Sequence, residues 1–494
     1  MSGTGYRSRL HLCIAALMTS ITPASALYSF PPNANHIFNA IHSSMRQWGS
    51  SLNHNGMSFF LATVPEGTQL YHGDWRSDPV EGPEWLAFEP EHALVFTHPF
   101  PHNPPPEDAK PLQQESQQVM GQADEVEDGF LHTFAAAKDL RLLYVDGMSA
   151  GKTTNGTMDS QDRILFKMGL GDGGGGWMEE HKRAELFCGM VRDKWDGRLD
   201  GMLRMEAGFE IILCDFSNLE VLQVARVRPT EKGVPGGDIG MHAGRLWLPA
   251  VASRYWTIGG DRVRLNYEHF VTAYNYGLDL FPEGDMTLPR LEHLPSYELE
   301  PLRHDLDALI LDHEASEAST NWQVVADMVV ERYGSRLRFL ASGQASTLQQ
   351  LQAEIEDILT PFIDYDHRNT SVEVERCSKQ FVRRPMPVNS VAFDAVLSVS
   401  RSVCATLLKA LQQTEYGPVV DRIQGLISYL AWSTWKDCNG CGDHETCMIP
   451  MWPMGTVDDY KHPQCRDFSK LNGDGPRYWG GPPHRRESAS PLAL

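Results

Sequence analysis

Three stretches of the sequence carry residue types whose spacing could do chemistry. Asp146-Gly147-Met148-Ser149-Ala150-Gly151-Lys152-Thr153 follows an apolar run and ends in Gly-Lys-Thr, the ending of a phosphate-binding loop. Only three residues separate Gly147 from Gly151 where that loop needs four, so it cannot wrap the same backbone N–H groups around phosphates. It reads instead as a tight turn after a strand, with Asp146 and Lys152 at the strand end to line a pocket. Cys438-x-x-Cys441-x-x-His444-x-x-Cys447 has metal-like spacing. Cys465 supplies a fourth sulfur, and the oxidising route argued below favours disulfides, so no metal site is assigned. His98-x-x-x-His102 has the spacing of a helical metal pair, but Pro99 and Pro101 break that helix. Asp312-His313-Glu314 and Asp443-His444-Glu445 are polar clusters whose partners the sequence does not identify. No nucleophile elbow is assigned. With 64 acidic residues, spacing alone does not single out a catalytic carboxylate pair.

A stronger chemical lead is spread over the first half. Glu66-Gly67-Thr68-Gln69-Leu70-Tyr71-His72-Gly73 is followed by Pro83-Glu84-Trp85-Leu86-Ala87-Phe88 and Pro90-Glu91-His92-Ala93. Later, Leu199-Asp200-Gly201 precedes Gly208-Phe209-Glu210-Ile211-Ile212-Leu213. In order, these resemble the three elements of ADP-ribosyltransferase-like folds: a strand ending in His-Gly, an aromatic-small strand leading into a helix, and a strand opened by glutamate. The resemblance covers residues 59–100 and 195–227. It implies NAD as a substrate, with His72 bonded to the ribose and Gly73 allowing close approach of the nicotinamide amide. Glu210 would stabilise the oxocarbenium-like transition state and orient the acceptor, since a carboxylate set against developing positive charge lowers the barrier. The sequence departs from the family where a tyrosine of the second helix is replaced, Phe96 being the nearest aromatic. Without the resemblance the same runs are ordinary sheet strands. That leaves a non-enzymatic extracellular binding or effector protein, or a secreted hydrolase with an unlocated site.

The chain as a whole also resembles large uncharacterised secreted proteins of filamentous fungi. The carriers are its first residues, Tyr144 to Thr153, Ile211 to Phe216, and the segment Cys438 to Cys465 with Trp452-Pro453. That resemblance implies no reaction.

The elements that must position these residues give an α+β fold. Arg7 and Arg9, the apolar run Leu10 to Ile21 and Ala24-Ser25-Ala26 form a secretory signal peptide over residues 1–26. The address is therefore extracellular. Residues 27–290 read as a mixed α+β domain. Its strands are expected at 58–63, 68–73, 140–145, 209–214 and 219–227, with helices at 37–48, from 90, and at 179–195. A flexible insertion is expected near 99–129, and the Gly-rich run 169–176 is a loop. Residues 300–470 read as a helical domain with a Cys-rich end. Its helices are expected at 322–340, 348–359 with a capping box begun by Ser346, 391–411 and 418–435. Residues 471–494 are expected to be a disordered tail.

The net charge of −21 argues against nucleic acid or an anionic membrane as partner. No membrane anchor is expected after signal cleavage, because Asp394, Arg401 and Lys409 interrupt the apolar stretch near 392–411. A protein partner or a small-molecule substrate stays open. Outside the signal peptide there are eight cysteines: Cys188, Cys214, Cys377, Cys404, Cys438, Cys441, Cys447 and Cys465. An even number in a secreted chain favours disulfides. Proximity pairs Cys188 with Cys214 and Cys377 with Cys404, with two bridges among the last four. Asn155-Gly156-Thr157 and Asn369-Thr370-Ser371 are expected glycosylation sites.

Overall fold

The computed structural model describes residues 31, 33–97, 129–167, 180–227, 247–252, 255, 257–282, 284, 286–316, 320–384, 390–467 and 476–479. The expected signal peptide, nearly all of the expected insertion, the Gly-rich run, His98 and His102 lie outside them. The strands are β1 (Ser58–Val64), β2 (Gln69–Asp74), β3 (Glu84–Ala87), β4 (Gly129–Ala136), β5 (Leu140–Val145), β6 (Gly201–Met205), β7 (Phe209–Leu213), β8 (Leu219–Val227), β9 (Arg264–Thr272), β10 (Glu445–Met448) and β11 (Gln464–Asp467). The helices are α1 (Ala34–Ser43), α2 (Gln47–Leu52), α3 (Pro90–Ala93), α4 (Glu180–Asp193), α5 (Glu300–Asp312), α6 (Trp322–Ala341), α7 (Leu348–Leu359), α8 (Thr370–Ser378), α9 (Val391–Ala410), α10 (Tyr416–Leu430) and α11 (Val457–Lys461).

Nine strands form one sheet in the order β8-β4-β2-β3-β7-β6-β5-β1-β9, and β10 pairs with β11 apart from it. β5 and β6 run parallel; the other described pairs are antiparallel. The middle of the sheet is covered on both faces, so β1, β6 and β7 are buried throughout and read as nearly unbroken apolar runs. β8 stands at the edge and is largely exposed.

The helical half follows its apolar stripes. α9 is long and apolar enough to cross a membrane by length and composition, yet most of it is buried inside the molecule. The capping box expected at Ser346 is displaced by one residue: Thr347 is the N-cap and accepts from the Gln350 backbone N–H. The helix expected over 37–48 is two helices, because Met45 adopts a positive φ of 54° between α1 and α2.

Packing crosses residues 290–300. One continuous apolar core runs from α1 through the sheet into the last helices. α1 lies against the helical half, where Asn35 Nδ2 donates to Tyr429 O (2.7 Å) and Asn39 Nδ2 donates to Leu430 O (2.9 Å). Part of the expected tail is also built in: Trp479 is buried, and its indole N–H donates to Met454 O at 2.8 Å. A large aromatic ring with a satisfied N–H is held by the core rather than left in solvent.

Candidate active site

The antiparallel register of β6 and β7 sets Arg204 opposite Glu210. Such pairs share one face of a sheet at close range, and Arg204 Nε donates to Glu210 Oε1 at 2.8 Å. Arg204 Nη1 donates to Gln161 Oε1 at 2.8 Å, and Nη2 donates to Glu180 at the start of α4. Gln161 opens a π-helical turn, Gln161–Leu165, a local irregularity often found at functional sites. The turn after β5 brings in Lys152, whose Nζ lies 2.8 Å from Glu206 Oε1 and 5.1 Å from the centre of the Trp452 ring. Arg183 on α4 holds Asp162 through two bonds of 3.0 and 3.2 Å and reaches Glu180 at 3.2 Å.

Burial sets the electrostatics of this cluster. The Arg204 side chain is 0% exposed and that of Glu210 6%, whereas Glu180 and Glu206 reach solvent at 15% and 17%. Burial pushes Glu210 up to about 7, against the pull of Arg204, with the charge of Glu206 adding to the rise. Burial also opposes ionisation of Glu180, but Arg204 and Lys152 outweigh it and hold Glu180 below the usual carboxylate range. Lys152 is held above its ordinary value because Glu206, Glu180 and Glu210 outweigh its burial. Two carboxyls on one guanidinium are thus driven in opposite directions, a pattern that separates acid from base roles.

The structure separates the expected site residues. β2, β3 and β7, which carry the three resembling segments, are consecutive neighbours in the sheet. Tyr71 pairs with Ala87 and Ala87 with Glu210, so these three stand in one row on one face. Alternation puts His72 on the other face. There its Nδ1 lies 2.7 Å from Trp85 O and its ring packs edge-on to His132. His72 and Glu210 therefore do not share a cleft. Gly73 is also corrected: a Cβ there would meet Ala93 O at 2.1 Å, so this glycine lets α3 lie against β2 and is covered by it. Phe96 is 45% exposed and packs on His92 at 6.0 Å. Glu210 and Lys152 are brought together; Asp146 is held elsewhere, accepting from Ser58 N at 2.7 Å, and burial raises it to about 7.

The Gly-Lys-Thr turn is structural, as its spacing implies. Gly147 has φ 68° and no room for a side chain against Gly56 and His54 O, while Thr153 Oγ1 donates to Trp479 O at 2.9 Å. Residues 147–151 also spell Gly-x-Ser-x-Gly, the pattern of a nucleophile elbow, which was not assigned above. Its Ser149 is fully buried and donates to Val145 O at 2.9 Å. That hydroxyl is spent on the turn.

The eight cysteines among the described residues are all paired: Cys188–Cys214, Cys377–Cys404, Cys438–Cys447 and Cys441–Cys465. The sulfurs with metal-like spacing are consumed by two of these bridges. The sequons differ. Asn155 Nδ2, the glycan-accepting atom, donates to Tyr478 O at 3.2 Å, and Thr157 is fully buried with its hydroxyl on Gly151 O. Asn369 is exposed and caps α8 through Oδ1 only, accepting from Ser371 N and Val372 N. Glycan mapping of protein made through a secretory host is therefore expected to find Asn369 occupied; deamidation-labelled peptides bare at Asn369 would reverse this. In the folded chain Asn155 is engaged by Tyr478 and is not a free acceptor.

Fold and site together define a disulfide-bridged α+β protein with a mixed sheet, a helical half and a buried ion cluster on the sheet. Residues 31–103 and 101–233 match the family model described as the YPL277C N-terminal domain; that span includes every member of the ion cluster. Two similar proteins are both from Saccharomyces cerevisiae and both described as uncharacterized. YOR389W is 33% identical over 234 residues, 42% of this chain and 36% of the relative. YPL277C is 32% identical over 235 residues, 42% of this chain and 46% of the relative. The matched region thus spans less than half of either relative. No solved structure matches.

Arg204, Glu180 and Glu206 were missed in the sequence. One signal was available: Arg204 interrupts the apolar run Met202-Leu203-Arg204-Met205, and a charged residue inside a buried strand requires a partner.

Proposed function

We propose that the protein is an enzyme that cleaves a glycosidic bond, with Glu210 as its reacting carboxyl and NAD as the first substrate to test. The observation that carries this reading is that Glu210 and Glu180 both bond one buried guanidinium, Arg204. Both N- and O-glycosidic cleavage pass through an oxocarbenium-like transition state that a nearby carboxylate stabilises. The adjacency of β2, β3 and β7 supports the resemblance that suggests NAD. His72 and Gly73 have no part in this reading. Tyr71 and Trp85 stand on Glu210's face, with His181 of α4 packed edge-on to Trp85 at 5.0 Å. Tyr71 stands two strands from Glu210, about 10 Å across the sheet, a span that suits a ring on one side and a carboxyl on the other.

We propose further that it is secreted and works outside the cell, since four bridges suit an oxidising compartment.

The test is nicotinamide release from NAD by the purified full chain, alongside a panel of aryl O-glycosides. Glu210→Gln keeps the size of the side chain and an oxygen for Arg204. It is expected to lose about a hundredfold in turnover while keeping the wild-type melting temperature. The wild-type rate is expected to fall as pH drops through about 7, because Glu210 must be ionised to stabilise positive charge. Wild-type protein inert toward every substrate, or Glu210→Gln as active as wild type, rejects the reading.

A further inference from the structure

A cavity of about 460 Å³ opens on the face of the sheet opposite Glu210, between loop 77–82 and the strands β4 and β8. Its size falls within the range of small-ligand sites. The walls are His132, Phe134 and Phe216, with Val221 and Val224 alongside. They are held in place: Phe134 and Phe216 meet edge to face at 5.6 Å, His132 stacks on Phe134, and His132 Nε2 lies 3.0 Å from Arg76 O. His132 is 1% exposed, whereas Val221 and Val224 are 61% and 40% exposed. An exposed apolar pair beside a rigid aromatic wall marks a surface built to be covered.

The charged residues of the lining decide what covers it. Asp78, Glu81 and Asp215 stand among the lining residues, and among the described residues no lysine or arginine does. Asp215 is oriented by the Ser217 backbone N–H, which donates to its Oδ1 at 2.9 Å. A phosphate or carboxylate would meet like charge along this lining. A metal ion would find few oxygens beside many carbons. A cation on a carbon skeleton satisfies both parts, since its charge is attracted by carboxylates and by ring faces and its body by the apolar wall. The net charge of −21 adds a long-range pull in the same direction.

We propose that this cavity binds a small organic cation, a protonated amine or quaternary ammonium carried on an aromatic or short apolar body. The site does not involve Glu210 or its neighbours and stands whether or not the glycosidic reading does.

The test is calorimetric titration of the full chain with benzyltrimethylammonium, with benzyl alcohol as the neutral control. Saturable binding is expected with a Kd of about 1 mM or tighter, and the alcohol is expected to bind about tenfold more weakly. Val224→Lys places a like charge at a partly exposed position and is expected to abolish binding. The double variant Glu81→Gln with Asp215→Asn is expected to weaken it severalfold. Both are expected to melt with the wild type. Absence of saturation, equal binding of the alcohol, or unchanged binding in Val224→Lys each overturns the proposal.

Discussion

Arg204→Ala is expected to cost the fold about 3–5 kcal/mol, read as a lowered midpoint of denaturation at pH 7.5. The guanidinium is fully buried and bonds Glu210, Gln161 and Glu180 at once. Removing it strands the Glu210 carboxyl and the Gln161 amide in a place that water reaches poorly, while Glu180 keeps Arg183; an unpaired buried charge costs more than the pair contributed. The loss has a signature in pH. Glu210 is already raised to about 7 from an ordinary 4.5, and without Arg204 it rises further. A carboxyl raised in the folded state stabilises the fold below its unfolded value, and that contribution is lost as pH climbs through the folded one. The penalty in Arg204→Ala should therefore be smaller at pH 5 than at pH 8. Adding Glu210→Gln to Arg204→Ala should recover part of the loss at pH 8, because the stranded charge is gone. A penalty equal at both pH values, with strict additivity in the double variant, would mean that the cluster contributes by packing alone.

Replacing Cys377 and Cys404 together by alanine is expected to cost about 3.5 kcal/mol, the loop-closure value for the 27-residue separation. Both residues are 0% exposed, so the bridge sits within the helical core. The Tyr333 hydroxyl lies 3.5 Å from Cys377 Sγ, and Gln380 Nε2 donates to that hydroxyl at 2.9 Å. The bridge ties α8 to α9, and α9 also packs against α1, α7 and α10. Loss of the bridge should therefore lower the midpoint of the whole transition rather than fray one helix, because the core is continuous. Denaturation followed by both far-ultraviolet circular dichroism and tryptophan fluorescence checks this. Two separated transitions, or a midpoint equal to wild type, would contradict it.

Much of the fold could be read because period and burial agree. β1 and β5 fall within a residue of their expected limits, since each is a mostly apolar run closed by turn chemistry. Two of the bridges, Cys188–Cys214 and Cys377–Cys404, followed from sequence proximity, while the pairing of the last four cysteines did not. The site was legible only in part. Glu210 was singled out through a resemblance, and Lys152 through a motif whose spacing was wrong, yet the two lie in one cluster. Their partners come from three separate places: Glu180 from a helix start, Arg204 from a strand, and Gln161 from an irregular turn without apolar period. His72 failed for a different reason. Its alternation beside Tyr71 was visible, but which of the two shares a face with Glu210 depends on the pairing of β2 with β3 and β3 with β7. Register is a property of two strands, and one strand's sequence does not state it.

The bond from Thr153 Oγ1 to Trp479 O spans 326 residues, and His54 reaches Tyr478 across 424. The turn that presents Lys152 is thus closed by residues that leave the ribosome long after the turn itself. Chain elongation takes place at about 5–20 residues per second, so the turn waits tens of seconds for its last partners. Until then Lys152 and the carboxylates it neutralises lack their final support. The order of synthesis therefore leaves this cluster incomplete until residue 479 has emerged, and any activity it carries arrives only after that point.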